Sequence, residues 1–460
     1  MQENQILVSV YITNYNYGKY IKKAIDSVLN QTLQDFELII IDDGSSDNSK
    51  EIIESYADNP KIQIIYQKNK GLNITNNIAL KIANGKYIIR LDADDYFEKD
   101  ALKVMSGILN SDDELGLVFP DYYLVDEDGN ILHEEKRHSF EKDVTLLDMP
   151  AHGACTMIRK SFLQTLGGYD EQFKCQDGYD LWIRFTAKYK VINVNQILFS
   201  YRRHGDNLTT NEDKILNTRM AIKEKFIFQN FKTEADTIAI IPVRGSKFNP
   251  KDIAFTKLND EYVLDIKIKT ALNTKNISSV IISSPDEDIE QHIEQNYSKE
   301  NKVVFHKRNQ KLARLNTDLV KTLNDILENK ILNNIKFENI CILSIEYPFV
   351  ESKTVDDAIN TMRIFETDSL ISVREETNMF FHHDGSGMKP ILGQEKQTKL
   401  ERDLLYRYAG GIITVKKDKF KKFQKLICGQ VGHIVVHQKA SFQLKSKLDI
   451  EIADCINDIK

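Results

Sequence analysis

The chain has 460 residues, 41% of them hydrophobic and 28% charged, with a formal net charge of -6. At about 100–200 residues per domain this implies two or three soluble globular domains. The charge offers no footprint for nucleic acid, and no run reaches the ~18–20 apolar residues of a membrane span.

Composition leaves room for a local basic patch against a membrane or an acidic glycan. The five cysteines, at 155, 175, 341, 428 and 455, form no C-x-x-C pair. Neither a disulfide framework nor a zinc ribbon is expected, and a cytoplasmic setting is the simpler expectation. The opening MQENQILVSVYITNY does not read as a signal peptide.

Short apolar runs alternate with helical patterns through the first half. Residues 6–12 are β-rich, and residues 20–29 place Ile21, Ala24, Ile25, Val28 and Leu29 at helical spacing. Residues 36–41 form a largely apolar run ending at Asp42. Ser46 or Asp47 is placed to cap a helix through Ile52 and Ile53. Residues 62–66 read as a strand. A helix through Ile78 and Ile82 is expected to stop near Gly85, and a strand over 87–91 runs into Asp92.

This alternation predicts a mostly parallel sheet with helices on both faces, whose ligands bind outside the carboxyl ends of the strands. Asp42 and Asp92 stand at two such ends. Residues 206–231 read as a closing helix, and a second α/β domain begins near residue 236, with strands over 237–241, 280–283, 340–345 and 370–373.

Four constellations carry chemistry. In IIIDDGSSDNS (39–49), Asp42 can accept from a nucleobase N–H and Gly44 permits a sharp exit, although Asp, Gly and Ser also suit an ordinary turn. In LDADD (91–95), Asp92, Asp94 and Asp95 at a strand end suit a hard divalent cation facing a diphosphate. In CQDGYDLWIRF (175–185), Asp177 and Asp180 can share a helix face, and either could be a general base. In YRRHGDNLT (201–209), Arg202 and Arg203 suit phosphate oxygens and His204 can ligate a metal.

In this order the segments resemble the inverting glycosyltransferase family 2, which has the GT-A fold. The resemblance runs from about residue 6 to 210. It includes VSVYITNYNYGKYIKKAIDSVLNQTLQDFELIIIDDGSSD, GKYIIRLDADD, HGACTMIRKSFLQTLGGYDE, QDGYDLWIRF and YRRHGDNLT. It implies that Thr13 and Tyr15 line the nucleobase and Asp42 reads it. It implies that Asp92 and Asp94 meet ribose and metal, Mn2+ or Mg2+, and that His204 is the late metal or diphosphate ligand.

The base is assigned to Asp177, with Asp180 second, and Arg203 to the diphosphate. Two departures stand out. Gly178 interrupts the usual acidic pair, and Thr75-Asn76-Asn77 stands where many members carry arginine-asparagine.

In the second half, TIAIIPVRGSKFNPKDI (237–253) offers Arg244, Lys247 and Lys251 to a triphosphate. The loop is similar to the opening motif of cytidylyltransferases that activate acidic sugars. VIISSPDEDIEQHI and KRNQKLARLNTDLVKTLNDIL resemble later stretches of that family, and KLDIEIADCI resembles its metal segment, with Asp449 and Glu451 at the acidic positions. One loop glycine is missing, Asp252 replaces the usual asparagine, and residues 344–349 read SIEYPF. His382, His383 and Asp384 form a metal-like trio beside an exposed DGSG.

The expected organisation is two nucleotide-binding α/β domains, a GT-A glycosyltransferase over residues 1–232 and a degenerate nucleotidyltransferase-like domain over 233–460. The expected partners are a UDP-sugar donor and a glycan or glycolipid acceptor, with room for peripheral membrane contact and a homodimer through the second domain. The alternatives are a bifunctional enzyme that also makes a CMP-sugar, and a non-catalytic nucleotide-binding scaffold.

Overall fold

The computed structural model describes residues 6–136, 151, 153–204, 212–232, 234–244, 253–314, 316–376, 378–391 and 405–458. The chain divides into two compact units, one built on Met1–Arg219 and the other on Met220–Gln394 and Asp403–Lys460.

The first unit runs β1 (Val8–Asn14), α1 (Gly18–Leu29), β2 (Phe36–Asp42), α2 (Ser49–Glu54), β3 (Ile62–Tyr66), α3 (Leu72–Ile82), β4 (Tyr87–Asp92) and β5 (Tyr96–Phe97). It continues with α4 (Ala101–Ser111), β6 (Leu115–Val125), β7 (Ile131–Glu135), β8 (Met157–Arg159), α5 (Lys160–Thr165), α6 (Asp177–Thr186) and β9 (Lys190–Arg202). The strands form one sheet in the order β3-β2-β1-β4-β8-β6-β9-β5, with β7 beside β6.

β1 lies parallel to both β2 and β4, in registers that pair Asn14 with Asp42 and Thr13 with Asp92. The strand order reverses between β1 and β4, which opens the crevice where open α/β sheets bind ligands.

Side chains alternate across a strand, so both faces of β1 must be apolar to carry helices on each side. Val8, Val10 and Ile12 pack with Ile21, Ala24, Ile25 and Val28 of α1. Tyr11 faces the other way, toward Ala79 and Leu80 of α3 and Trp182 of α6. Each such aliphatic side chain contributes about 1.5–3 kcal/mol on full burial.

Two local expectations are corrected. The α2 N-cap is Asn48, and Asp47 instead accepts from the backbone of Ser49 and Gly18. α3 stops at Ile82, with Ala83 already extended. Gly85 serves close packing, because a Cβ there would lie 2.5 Å from the Ser9 nitrogen.

A helix, α7 (Glu212–Asn230), lies within the span predicted for the closing helix; residues 206–211 lie outside the described ones. The second unit then contains β10 (Thr237–Pro242), β11 (Lys257–Leu258), β12 (Glu261–Tyr262), α8 (Val263–Leu272), β13 (Ile277–Ser284), α9 (Glu287–Tyr297), β14 (Val303–Lys307) and α10 (Leu319–Glu328). After these come β15 (Asn339–Leu343), α11 (Ser352–Ile364), β16 (Ser369–Glu376), β17 (Phe381–His383), β18 (Met388–Pro390), β19 (Leu405–Lys416), α12 (Lys417–Phe423), β20 (Val431–Val435) and α13 (Lys447–Asp458).

Its sheet runs β14-β13-β10-β15-β19-β16-β20. Ala239 and Ile241 enter the core on one face, and Ile238 and Ile240 the core on the other. No helix among the described residues is long and apolar enough to cross a membrane.

Candidate active site

The carboxyl ends of β1, β2 and β4 bring Thr13, Asn14, Asp42 and Asp92 to one edge. Asp42 is buried, and both its oxygens hold the turn that follows. Oδ1 accepts from Asn14 Nδ2 at 2.7 Å and Ser45 Oγ at 2.6 Å, and Oδ2 accepts from the Ser45 N–H at 3.0 Å. Gly44 is required here, since its φ is +84° and a Cβ would lie 2.8 Å from the Asn69 nitrogen. Tyr15 is 48% exposed beside this turn, free to stack on a ligand.

Thr13 Oγ1 donates to Asp92 Oδ1 at 3.2 Å. Asp92 is in turn held by Arg90, whose Nε lies 3.0 Å from Asp92 Oδ1. The same buried guanidinium pairs through its NH1 with Asp177 Oδ2 at the start of α6. Asn76 Nδ2 donates to that oxygen at 3.4 Å, and its Oδ1 accepts from Tyr11 OH, which also meets Tyr169 OH at 3.2 Å.

Burial opposes the charge on Arg90, but Asp177 and Asp92 outweigh it and hold its pKa well above the usual guanidinium range. Burial pushes both phenols up, so they stay neutral. Asp177 Oδ1 takes no hydrogen bond from the described residues and is the oxygen left for an incoming group.

Asp180 is differently placed. It is buried, and its Oδ2 takes Arg184 Nε at 3.0 Å and NH2 at 2.5 Å, one helical turn on. Arg184 also donates to the carbonyls of Leu166 and Gly168. Asp180 thus fixes the loop before α6 through Arg184.

The LDADD carboxylates separate in the same way. Asp95 accepts from the Arg202 N–H at 2.8 Å, and its Oδ2 is buried without a hydrogen-bond partner among the described residues. Burial first, then Asp94 and Asp92, push Asp95 well above the ordinary carboxylate range. Asp94 meets His204 Nε2 at 2.9 Å, with both side chains nearly buried. Its pKa is raised by burial and by Asp92, against the pull of His204.

The His204 ring sits against Tyr17 and Tyr20. Arg202, read from sequence as a phosphate ligand, is instead committed to backbone. It donates to the carbonyls of Asp94, Asp126 and Glu127. Arg203 is exposed next to it.

Among the described residues no three His, Cys, Asp or Glu side chains are gathered around one metal position. Asp94 and His204 nevertheless fit the chemistry of a magnesium-like ion, which typically takes one or two carboxylates and completes its shell with substrate phosphates and water.

Sequence reasoning missed Arg90 and Asn76 as partners of the site. The available signal was a charged residue inside the apolar run of β4, which needs a buried counter-charge.

Residues 9–167 match the family described as Glycosyl transferase family 2. An uncharacterised glycosyltransferase of Methanocaldococcus jannaschii is 35% identical over 206 residues, covering 43% of this chain and 70% of that protein. The chain belongs to glycosyl transferase family 2.

The chain is also 28% identical to an Escherichia coli chondroitin synthase, over 55% of this chain and 35% of the synthase. It is 33% identical to a Pasteurella multocida hyaluronan synthase, over 44% of this chain and 21% of that one. The chain thus spans about a fifth to a third of the synthases it matches. The structure of S. aureus TarS 1–349 with UDP-GlcNAc aligns at a TM-score of 0.41 and 21% identity, covering 50% of this chain and 68% of that one.

In the second unit, His382 and His383 lie on an exposed two-stranded ribbon, and Asp384 pairs with Lys389 at 2.5 Å. The trio gathers no metal site among the described residues. Asp449 accepts from the Lys445 N–H and Ser446 Oγ at the start of α13, and Glu451 is exposed. Arg244 reaches the Arg314 carbonyl, while Lys247, Lys251 and Asp252 lie outside the described residues.

Proposed function

We propose that the chain is an inverting, divalent-metal-dependent glycosyltransferase. It moves a sugar from a nucleotide-sugar, read as a UDP-sugar, to a glycan or glycolipid acceptor in surface polysaccharide or glycoconjugate synthesis. The observation that carries the reading is Arg90, which joins Asp92 at the donor edge to Asp177 at the start of α6.

In this reading Tyr15 and Thr13 flank the base, Asp42 shapes and reads its pocket, Asp92 meets the ribose, and Arg203 serves the diphosphate. Asp177 Oδ1 takes the proton of the attacking acceptor hydroxyl, while Arg90 and Asn76 fix Oδ2 and so aim the carboxylate. Asp94 and His204 would hold Mn2+ or Mg2+, which when bound offsets negative charge on the departing diphosphate.

The transferase domain is assigned to residues 1–232 and a degenerate cytidylyltransferase-like domain to 233–460. The second domain is read as a binding or dimerising module, and the enzyme as cytoplasmic, meeting its acceptor at the inner membrane face. Release of free nucleotide from a panel of UDP-, GDP- and CMP-sugars with manganese tests the catalytic reading. Metal-dependent release from one donor, lost in both Asp94→Ala and Asp177→Asn, is expected. Release that survives Asp177→Asn with acceptor present would remove Asp177 from the mechanism.

A further inference from the structure

We infer that the amino edge of the second sheet, centred on α12, is a docking surface for an anionic lipid bilayer. Residues 416–427 read KKDKFKKFQKLI, six lysines and one aspartate in a chain whose net charge is -6.

The topology sets this segment at one edge. Lys416, the last residue of β19, pairs with Asn339 at the start of β15, which neighbours Thr237 at the start of β10. Ser369, at the start of β16, pairs with Val431 at the start of β20. The edge is therefore opposite the carboxyl ends of the parallel strands β10, β13 and β15.

The segment is pinned from inside. Phe420 is fully buried, and Leu426 and Cys428 join the same core. Asp368 takes Lys419 at 3.2 Å and Lys416 at 4.0 Å, and Gln424 accepts from Asn324 Nδ2 at 2.7 Å.

Lys421, Lys422 and Lys425 are exposed and make no ion pair among the described residues, while half-buried Lys417 lies over the Phe337 ring at 4.1 Å. Between them Phe423 is 42% exposed and Ile427 45%, with Val431 at 42% on the same edge. Acidic groups on the same edge include Asp418, Glu338 and Glu366, all exposed, besides Asp368 and the half-buried Asp236.

The favourable dipole interaction of Lys421 and Lys422 in the last helical turn explains two of the lysines. It does not explain exposed Phe423 and Ile427, nor Lys417 and Lys421 at like-charge i,i+4 spacing, which weakens a helix locally. Unpaired lysines ringing a protruding apolar pair complement an acidic headgroup layer over acyl chains. A soluble polyanion would use the lysines and leave Phe423 and Ile427 idle.

The inference rests on the peripheral-membrane part of the proposed function, and its test scores no sugar transfer, so the two fail separately. The full chain is sedimented with vesicles of phosphatidylcholine alone, and with vesicles of phosphatidylcholine and phosphatidylglycerol in equal parts. Binding to the second only is expected, weakened by added salt. At about fivefold per lysine near the surface, Lys421→Gln/Lys422→Gln/Lys425→Gln should lower partitioning about a hundredfold. Phe423→Ser/Ile427→Ser should lower it about tenfold or more.

All five side chains are exposed, so melting temperatures should stay at the wild-type value. No binding to either vesicle, equal binding to both, or an unaffected lysine variant overturns the inference. Vesicle binding indifferent to the Phe423 and Ile427 changes, with equal capture by dextran sulfate, overturns it in favour of an acidic polysaccharide site.

Discussion

Replacing Arg90 with methionine isolates the contact on which the candidate active site is built. The side chain is 5% exposed and lies between Asp92, 26% exposed, and Asp177, 12% exposed. Removing one partner of a buried pair costs about 3–5 kcal/mol, because the remaining charge is left uncompensated. Partial exposure of both carboxylates lets water screen them, which brings the expected loss to roughly 2–4 kcal/mol. For a unit of this size that is a fall in melting temperature of about 5–15 °C.

Catalysis should suffer more than stability. Without Arg90 the Asp177 carboxylate loses its aim, and a displacement of ~1 Å can cost about a hundredfold in rate. Arg90→Lys keeps the charge but cannot span both carboxylates, so it should recover part of the stability and little of the rate. Thermal unfolding and donor turnover of Arg90→Met, Arg90→Lys, Asp177→Asn and the Arg90→Met/Asp177→Asn double variant make the measurement. A coupling of at least about 1 kcal/mol between the two sites is expected. If Arg90→Met melted within about a degree of wild type and turned over at an unchanged kcat, the bridge would carry neither role.

Two further outcomes follow from the same geometry. Gly153→Ala places a Cβ 2.5 Å from Arg90 NH2. It should lower kcat severalfold or more at little cost in donor KM, and an unchanged kcat would mean the guanidinium has room to spare. Asp180→Asn should melt at a lower temperature through lost contact with Arg184, yet keep donor hydrolysis, whereas Asp177→Asn should lose hydrolysis. Loss of hydrolysis in a folded Asp180→Asn would reassign the base.

In the second unit, burial pulls Lys267 down to about 7, its Nζ donating among the described residues only to the Tyr347 carbonyl at 2.7 Å. An unfolded lysine titrates near ~10.4. Between those values the unfolded chain binds more protons, so stability rises with pH across the window and is lost as pH falls through about 7. Urea unfolding across this range should show that slope in wild type and a flatter profile in Lys267→Met. Equal slopes would place the titration elsewhere.

Much of the candidate site was legible in the sequence because its signals are local. A parallel strand buried on both faces needs a largely apolar run, so Asp42 and Asp92 mark strand ends by closing one. Residues 36–41 and 87–91 locate β2 and β4 to within a residue. The acidic string LDADD announces a charged loop wherever the chain goes.

Which of those carboxylates face a ligand is not a local property. Asp95 turns inward because Arg202, over a hundred residues away in the chain, offers it a backbone N–H. Arg202 is unavailable to phosphate because the carbonyls of Asp94, Asp126 and Glu127 surround it. Asp177 and Asp180 sit three residues apart on one helix and are indistinguishable by spacing. One meets Arg90 from the neighbouring sheet, and the other meets Arg184 one turn along. The sequence by itself determined the alternating elements and the acidic strand ends, because hydrophobic periodicity is set by neighbours along the chain. Only the tertiary structure decided the partner of each charge, because pairing across a sheet depends on strand order and register, which bring together residues separated by most of a domain.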